Sequence, residues 1–299
     1  MEITSPNLER LFRGFKTSFQ QKFNETEPMW NKVAFRVPSM TAAEDYGWLG
    51  EFPSMKEWIG SRVLKSIATH SYSITNKDWE STVTVRRNKI KDDQYGIYGP
   101  MMGEMGQSAK AHPDELVFGL LPAGFTTICY DGQNFFDDDH PVYDPKAQKE
   151  VSVSNMQDGG GAPWFLMDTS RTILPVIFQE REKPVFTSLT DPKNSDHVFM
   201  NNEYVFGVDA RYNVGFSFWQ LAAGSKAPLT RENFRALRTG MTSLKNDEGR
   251  PLNVKPTIIV VGPSNADAAR DLFLSERLPN GETNTDRNLV EIVEVPWLD

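Results

Sequence analysis

The sequence predicts a mixed α+β fold without the regular βαβ alternation of a nucleotide-binding sheet. Three observations carry that reading. Residues 6–23 and 98–121 repeat apolar side chains every three or four positions, the period of one helical face. Short apolar runs bounded by turn residues recur through the rest of the chain and read as strands. No self-similar unit of about 20–50 residues is visible, which sets solenoids and propellers aside. At 299 residues the chain has room for two domains or one large one.

In chain order, Ser5 is placed to cap the first helix, Pro6 suits its first turn, and Glu9 complements the positive end of its dipole. Leu8, Phe12, Phe15, Phe19 and Phe23 share one face of it. So many rings on one terminal helix need a partner surface, either the protein's own core or a neighbouring subunit. Residues 27–53 read as extended, with Pro28, Pro38, Gly47, Gly50 and Pro53 interrupting any helix. Residues 63–72 and 81–87 read as two strands of a polar ribbon, with Thr75-Asn76-Lys77-Asp78 as a turn between them. A two-stranded ribbon is marginal alone in water, so it is expected to lie against something else.

The helix over 98–121 carries Tyr98, Met102, Met105, Ala109, His112, Leu116 and Leu120 on its apolar face. Pro113 inside it predicts a kink or two abutting helices, and Gly103 and Gly106 read as a mere fragment of a small-residue pattern. Strands are expected at 125–130, 164–167, 173–179, 204–208 and 215–219, with a loop over 133–161. Thr230 opens a helix with Phe234, Leu237 and Met241 on one face. Residues 256–261 form a buried strand, Ser264 caps a helix to about Ser275, and 289–295 closes the chain as a strand.

Lys and Arg number 32 against 40 Asp and Glu, a net charge of −8. Proteins that grip a phosphate backbone usually show a basic surplus, so extensive nucleic-acid binding is disfavoured. The segment from Lys56 to Lys91 runs the other way, with eight basic residues and three acidic ones. A cationic segment on an anionic body suits attachment to another copy of that body. No apolar run approaches the roughly 20 residues of a membrane span, and no signal peptide is expected. The single cysteine, Cys129, argues against an internal disulfide framework and against a cysteine-based zinc site, and suits a reducing compartment.

Catalytic constellations are scarce. Histidine occurs at 70, 112, 140 and 197, with no metal-binding pair four residues apart. Asp137-Asp138-Asp139-His140-Pro141 is the most suggestive string, with Asp131 and Asp144 nearby as further oxygen ligands, and a metal-dependent hydrolase using Asp137, Asp139 and His140 is the competing enzymatic reading. Consecutive loop residues seldom converge on one ion, so a solvated turn is expected there. His112 is expected to be packed, and Cys129 lacks a basic neighbour to activate it. Gly159-Gly160-Gly161 lacks the Lys-Ser/Thr of a phosphate loop. The chain is not expected to be an enzyme or to need a cofactor or metal.

Several strings together are more specific: Trp48-Leu49-Gly50, Glu57-Trp58-Ile59-Gly60, Tyr130-Asp131-Gly132-Gln133 with Phe135-Phe136 and His140-Pro141, and Pro163-Trp164-Phe165-Leu166. Phe178-Gln179-Glu180-Arg181, Gly207-Val208-Asp209-Ala210-Arg211 with Trp219-Gln220, and Gly249-Arg250-Pro251-Leu252 leading into 256–260 continue the series. In order and spacing, over nearly the whole chain, they resemble the major head subunit of Mu-like phages and prophages.

The resemblance implies the Hong Kong 97-type capsid fold. Its N-terminal arm would be residues 1–45 and its E-loop 46–85. A mainly peripheral domain would span 86–228, with a spine helix at about 98–121 and the strands between 163 and 220, and a mainly axial domain 229–299. The implied function is that of a major capsid protein, self-assembling as hexamers and pentamers into an icosahedral head around double-stranded DNA. Its place would be the virion, with assembly in the host cytoplasm. Partners would be further copies, a portal, decoration proteins, a scaffold on a separate chain (no scaffolding extension precedes the arm) and DNA by loose contact, with no membrane. A cellular nanocompartment shell of the same fold is the alternative within this class. The expected subunit-interface residues are Phe12, Phe15 and Phe19 of the arm and Trp58, Arg62, Lys65, Trp79, Arg86 and Arg87 of the ribbon. All are expected to be buried in sister copies rather than in the chain itself.

Overall fold

The computed structural model describes residues 5–49, 72–93, 96–191, 195–246 and 248–299. The chain begins with α1 (Ser5–Glu25), β1 (Ala34–Pro38), β2 (Ala43–Asp45), β3 (Ser73–Thr75), β4 (Lys77–Arg86), α2 (Arg87–Lys91) and α3 (Tyr98–Ala123). Next come β5 (His140–Asp144), β6 (Lys149–Val153), β7 (Met156–Gln157), β8 (Trp164–Met167), β9 (Val176–Leu189), α4 (Asp196–Asn201) and β10 (Glu203–Phe216). The last elements are β11 (Ala222–Ser225), α5 (Arg231–Thr242), β12 (Ile258–Val261), α6 (Pro263–Phe273) and β13 (Glu291–Glu294).

The first sheet has the order β1-β9-β10-β4, with β1 parallel to β9 and β10 antiparallel to both its neighbours. Along β10, Tyr204, Phe206, Val208, Ala210 and Tyr212 are buried in alternation with more open residues, so one face of the sheet is covered. The cover is α1 and α3. Phe15 and Met102 pack with Val85, Tyr204 and Phe206, while Phe19 and Met105 pack with Val208. The helices approach closely because α3 presents glycine there. A Cβ on Gly106 would stand 2.3 Å from the Phe19 carbonyl oxygen, and one on Gly103 would stand 3.1 Å from Lys22 Cγ. The glycines set aside in the sequence therefore fix the helix crossing.

The second sheet has the order β13-β12-β8-β11-β7. All residues of β8, β11 and β12 are buried, as expected of central strands covered on both faces. Trp164–Met167, grouped by sequence with the spine helix, lies here between β12 and β11. One continuous core, including Trp164, Phe136, Phe216 and Phe273, connects the two sheets.

Several expectations change. Residues 77–86 pair along their whole length with β10, and β3 pairs with β2, so Asn76 interrupts a strand where a reversing turn was expected. The apolar alternation of Trp79, Val83 and Val85 matches the covered face of β10, which buries more than a polar partner strand would. Residues 63–71 of the expected ribbon lie outside the described residues. α3 is one helix through Pro113. Residues 125–130 form turns with a single bridge, Ile128 to Asn134, in place of a strand, and 140–153 contains the β5–β6 hairpin in place of a loop. Residues 215–216 end β10, and Trp219 begins a 3-10 turn. Thr230 caps α5 as expected, accepting from the Asn233 amide at 3.3 Å. α6 instead starts after Gly262, and the Ser264 amide donates to the Asp299 carboxylate at 2.7 Å.

Candidate functional site

Of the nine expected interface residues, Trp58, Arg62 and Lys65 lie outside the described residues. Phe15 and Phe19 are only 3% and 2% exposed, and Phe12 is half-buried with its ring 5.2 Å from that of Tyr204. The surface expected from a sister copy is supplied by this chain's own α3 and β10. Trp79 is likewise held internally, its indole N–H donating to the Tyr212 carbonyl at 2.9 Å and its ring 4.6 Å from that of His112. His112 is packed as expected, with Nδ1 2.8 Å from the Tyr212 hydroxyl. Arg86 pairs with Glu203 of the same chain at 3.2 Å but remains 77% exposed, a contact of about 0–1 kcal/mol. The Arg87 side chain is exposed while its amide donates to the Asn202 carbonyl.

Polar groups that sequence reasoning missed converge where residues 50–71 leave and rejoin the described chain. Leu49 is fully buried on one side. On the other, the Tyr72 carbonyl accepts from the Tyr46 amide at 2.7 Å, and its hydroxyl accepts from the Phe216 amide at 2.7 Å. Tyr46 donates its hydroxyl proton to Gln179 Oε1 at 2.8 Å. Gln179, fully buried, donates to the Ile74 carbonyl at 3.0 Å and to Asn76 Oδ1 at 2.8 Å. Asn76 donates onward to Ser39 Oγ at 2.8 Å and to the Thr41 carbonyl at 2.9 Å. At the outer end, Glu44 Oε1 accepts from the Ser39 hydroxyl and from the Met40 and Thr41 amides at 2.9, 2.8 and 3.1 Å.

This network ties together the end of β1, β2, the β3–β4 junction and β9. The Met40 and Thr41 amides, helped by the Ser39 and Thr41 hydroxyls, hold Glu44 down to about 2. Burial drives the Tyr46 phenol upward, and it pushes Tyr72 up to about 12 against the opposing Phe216 amide. Gly215 leaves room for the joint: a Cβ there would stand 2.3 Å from Ile74 Cδ1 and 2.9 Å from the Tyr72 hydroxyl. With its polar groups paired, the arrangement is suited to positioning rather than to proton transfer. In the sequence, Asn76 read as a turn residue and Gln179 as the end of an apolar run, with nothing to mark them as partners.

The string expected as a solvated turn divides. Asp137 accepts from the Asn134 side chain and from the amides of Asp138 and Asp139, and Asp139 accepts from the Ser152 hydroxyl. His140 is fully buried instead, its ring stacked 4.0 Å from that of Trp219. Its Nδ1 lies 2.7 Å from Asp131 Oδ2, while Cys129 donates to Asp131 Oδ1 at 3.1 Å. Burial raises the Cys129 thiol strongly. Burial also acts upward on Asp131, but contacts with His140, Cys129 and the Gln133 amide outweigh it and leave the carboxyl below its ordinary value. Asp137 and Asp139 do not join His140 in a ligand group, so the hydrolase trio is not assembled. No helix among the described residues is long and apolar enough to cross a membrane.

The family model for the Mu-like prophage major head subunit gpT matches residues 8–298. The major capsid protein of Escherichia phage Mu is 42% identical over 295 residues, covering 97% of this chain and 96% of that one. Among solved structures, a chain of the bacteriophage JBD30 procapsid superposes with a TM-score of 0.87 and 47% identity, over 99% of this chain and 100% of its own. A chain of the JBD30 capsid decorated with minor capsid protein trimers gives 0.76 and 36%, over 91% of each.

Proposed function

The chain belongs to the Mu-like prophage major head subunit family, and from that premise we propose that it assembles as hexamers and pentamers into an icosahedral head enclosing double-stranded DNA. It is a major capsid protein of the Hong Kong 97-type fold, a structural subunit of a phage shell, and the virion is its place. The observation that carries the reading is likeness across the full chain to a procapsid subunit. The enzyme and nanocompartment readings are not favoured beside relatives that are phage head proteins.

Residues 1–45 act as the arm and 46–85 as the E-loop, and of the latter 73–75 and 77–86 pair within this chain, which leaves the contact with the next copy to 50–71. Two observations support that division. The root of 50–71 is tied by the Tyr46–Gln179–Asn76 network, and the basic surplus of Lys56 to Lys91 suits an acidic neighbour. Trp58, Arg62 and Lys65, joined by the exposed Arg86 and Arg87, make the contact with the next copy. The first sheet with α3 forms the body of the peripheral domain, to which the arm contributes α1 and β1 and the E-loop β4; the second sheet with α5 and α6 forms the axial domain, which draws in β7, β8 and β11 from before residue 229. A separate scaffold, a portal and decoration proteins complete the head, which assembles in the host cytoplasm. Closed geometry lets modest contacts add up over several neighbours. Negative-stain microscopy of the expressed chain, with sedimentation velocity, tests this: rings or shells are expected, and a uniform monomer under all assembly conditions would overturn it.

A further inference from the structure

We infer that Cys129, Asp131 and His140 form a divalent-metal site of zinc type, which staples the turn after α3 to the first strand of the β5–β6 hairpin. The thiol sulfur, a carboxylate oxygen and a ring nitrogen lie within 4.8 Å of one another. Cys129 is 4% exposed and His140 fully buried. Asp131 stands between them, with Oδ1 3.1 Å from Cys129 Sγ and Oδ2 2.7 Å from His140 Nδ1. Sulfur, imidazole nitrogen and carboxylate oxygen are the donors zinc takes, at about 2.0–2.3 Å. The Asp131-Gly132 turn, with Gly132 at a φ of +89°, brings Cys129 and Asp131 to the same side.

A second observation comes from outside the trio. Asn155 is oriented by its own partners: its amide NH2 donates to the Phe135 carbonyl at 2.8 Å, and its Oδ1 accepts from the Asp137 amide at 2.9 Å. That same Oδ1 faces His140 Nε2 at 3.3 Å. An acceptor on that side favours the tautomer with the ring proton on Nε2, and a neutral imidazole has only one. In that tautomer Nδ1 presents a lone pair toward Asp131 Oδ2 at 2.7 Å, and a metal ion or a proton held between the two atoms offsets their repulsion. A metal ion meets this requirement, with Asn155 as the outer partner that orients a ligating histidine. On binding, the Cys129 S–H bond breaks, a sulfur–metal bond forms and the proton leaves to solvent. A divalent ion with one thiolate and one carboxylate sums to zero charge, which suits a buried position. The alternative cation is a single proton on Nδ1, which would make His140 an imidazolium stacked on Trp219.

The test is metal analysis of protein expressed in zinc-supplemented medium and purified without chelator, followed by cobalt(II) titration of the metal-free chain. Zinc at one per chain, and a sulfur-to-cobalt charge-transfer band that Cys129→Ser abolishes while the far-ultraviolet circular dichroism is unchanged, are expected. Asn155→Ala should weaken cobalt binding about 10–100-fold. Zinc-free protein with no such band, and nitrogen-15 shifts showing both His140 ring nitrogens protonated in the presence of zinc, would overturn the site. The nitrogen-15 measurement is made on the unmutated chain, so it stands even if a variant fails to fold.

Discussion

Tyr46 donates its hydroxyl proton to Gln179 Oε1 at 2.8 Å across 133 positions of sequence. Through that bond the strand leading into residues 50–71 is anchored to the middle of the first sheet, and through Asn76 the returning strand is anchored to the same side chain. The joint is polar, buried and paired, a combination that favours one geometry over many.

Replacing Gln179 by Leu should therefore cost more than its volume suggests. It strands the Tyr46 hydroxyl and removes the donor to the Ile74 carbonyl and to Asn76, and one unsatisfied buried group costs about 1–3 kcal/mol. Urea unfolding should show a loss at or above the top of that range. Hydrogen exchange should quicken at the Asn76 amide, which donates to the Ala42 carbonyl at 2.9 Å.

Two glycines of α3 make a matched pair. Gly106→Ala sets a methyl group 2.3 Å from the backbone oxygen of Phe19, so α1 must move, at about 1–3 kcal/mol. Nothing lies within 4 Å of a Cβ on Gly119, and Gly119→Ala should stabilise by about 0.5–1 kcal/mol. Thermal unfolding of both variants checks the opposite signs.

Glu44 gives a pH signature. Its carboxyl, ordinarily near 4.5, is held down to about 2 by the amides and hydroxyls of residues 39–41. A carboxyl depressed in the folded state contributes stability above its ordinary value, and loses it as pH falls toward the folded one. Glu44→Gln should thus be less stable than the parent at pH 7. The gap should narrow from about pH 4.5 and close near pH 2, followed by thermal unfolding across that range.

Arg86 and Arg87 act on assembly through charge. Changing both to Ala should leave folding within about 1 kcal/mol of the parent, because Arg86 is exposed and its pair with Glu203 is a surface contact. Assembly, followed by light scattering, should slow most at low ionic strength. The difference from the parent should shrink toward 1 M salt, where screening falls to about 3 Å.

What was legible in the sequence was periodicity. Phe12, Phe15, Phe19 and Phe23 placed the first helix, and Trp164–Met167 the strand β8. Periodicity does not say whose surface covers an apolar face. The arm phenylalanines were assigned to neighbours because the match between their stripe and Tyr204, Phe206 and Val208 is a tertiary fact. The same gap hid the glycine crossing at Gly106. The second half of β9 was obscured by Glu180, Arg181, Glu182 and Lys183, where the strand leaves the core and its residues become progressively exposed. Asn76 and Gln179 lie 103 positions apart, too far to read as partners, whereas Cys129 and His140 are only 11 apart and were missed because Cys129 was judged by its lack of a basic neighbour. The route from uncovered apolar surface to a shell thus failed at the arm, while the strings shared with Mu-like head subunits led to the family.

Residues 50–71 are proposed to make the contact with another copy. The Tyr46 amide donates to the Tyr72 carbonyl at 2.7 Å, so the chain entering and leaving that segment is held together, and residues 51–70 are the segment to exchange for a short Gly-Ser turn. Negative-stain imaging of that variant beside the parent, both shown folded by circular dichroism, is the direct measurement. Shells are expected from the parent and only free subunits or isolated rings from the variant; shells of the same size and yield from both would refute the contact.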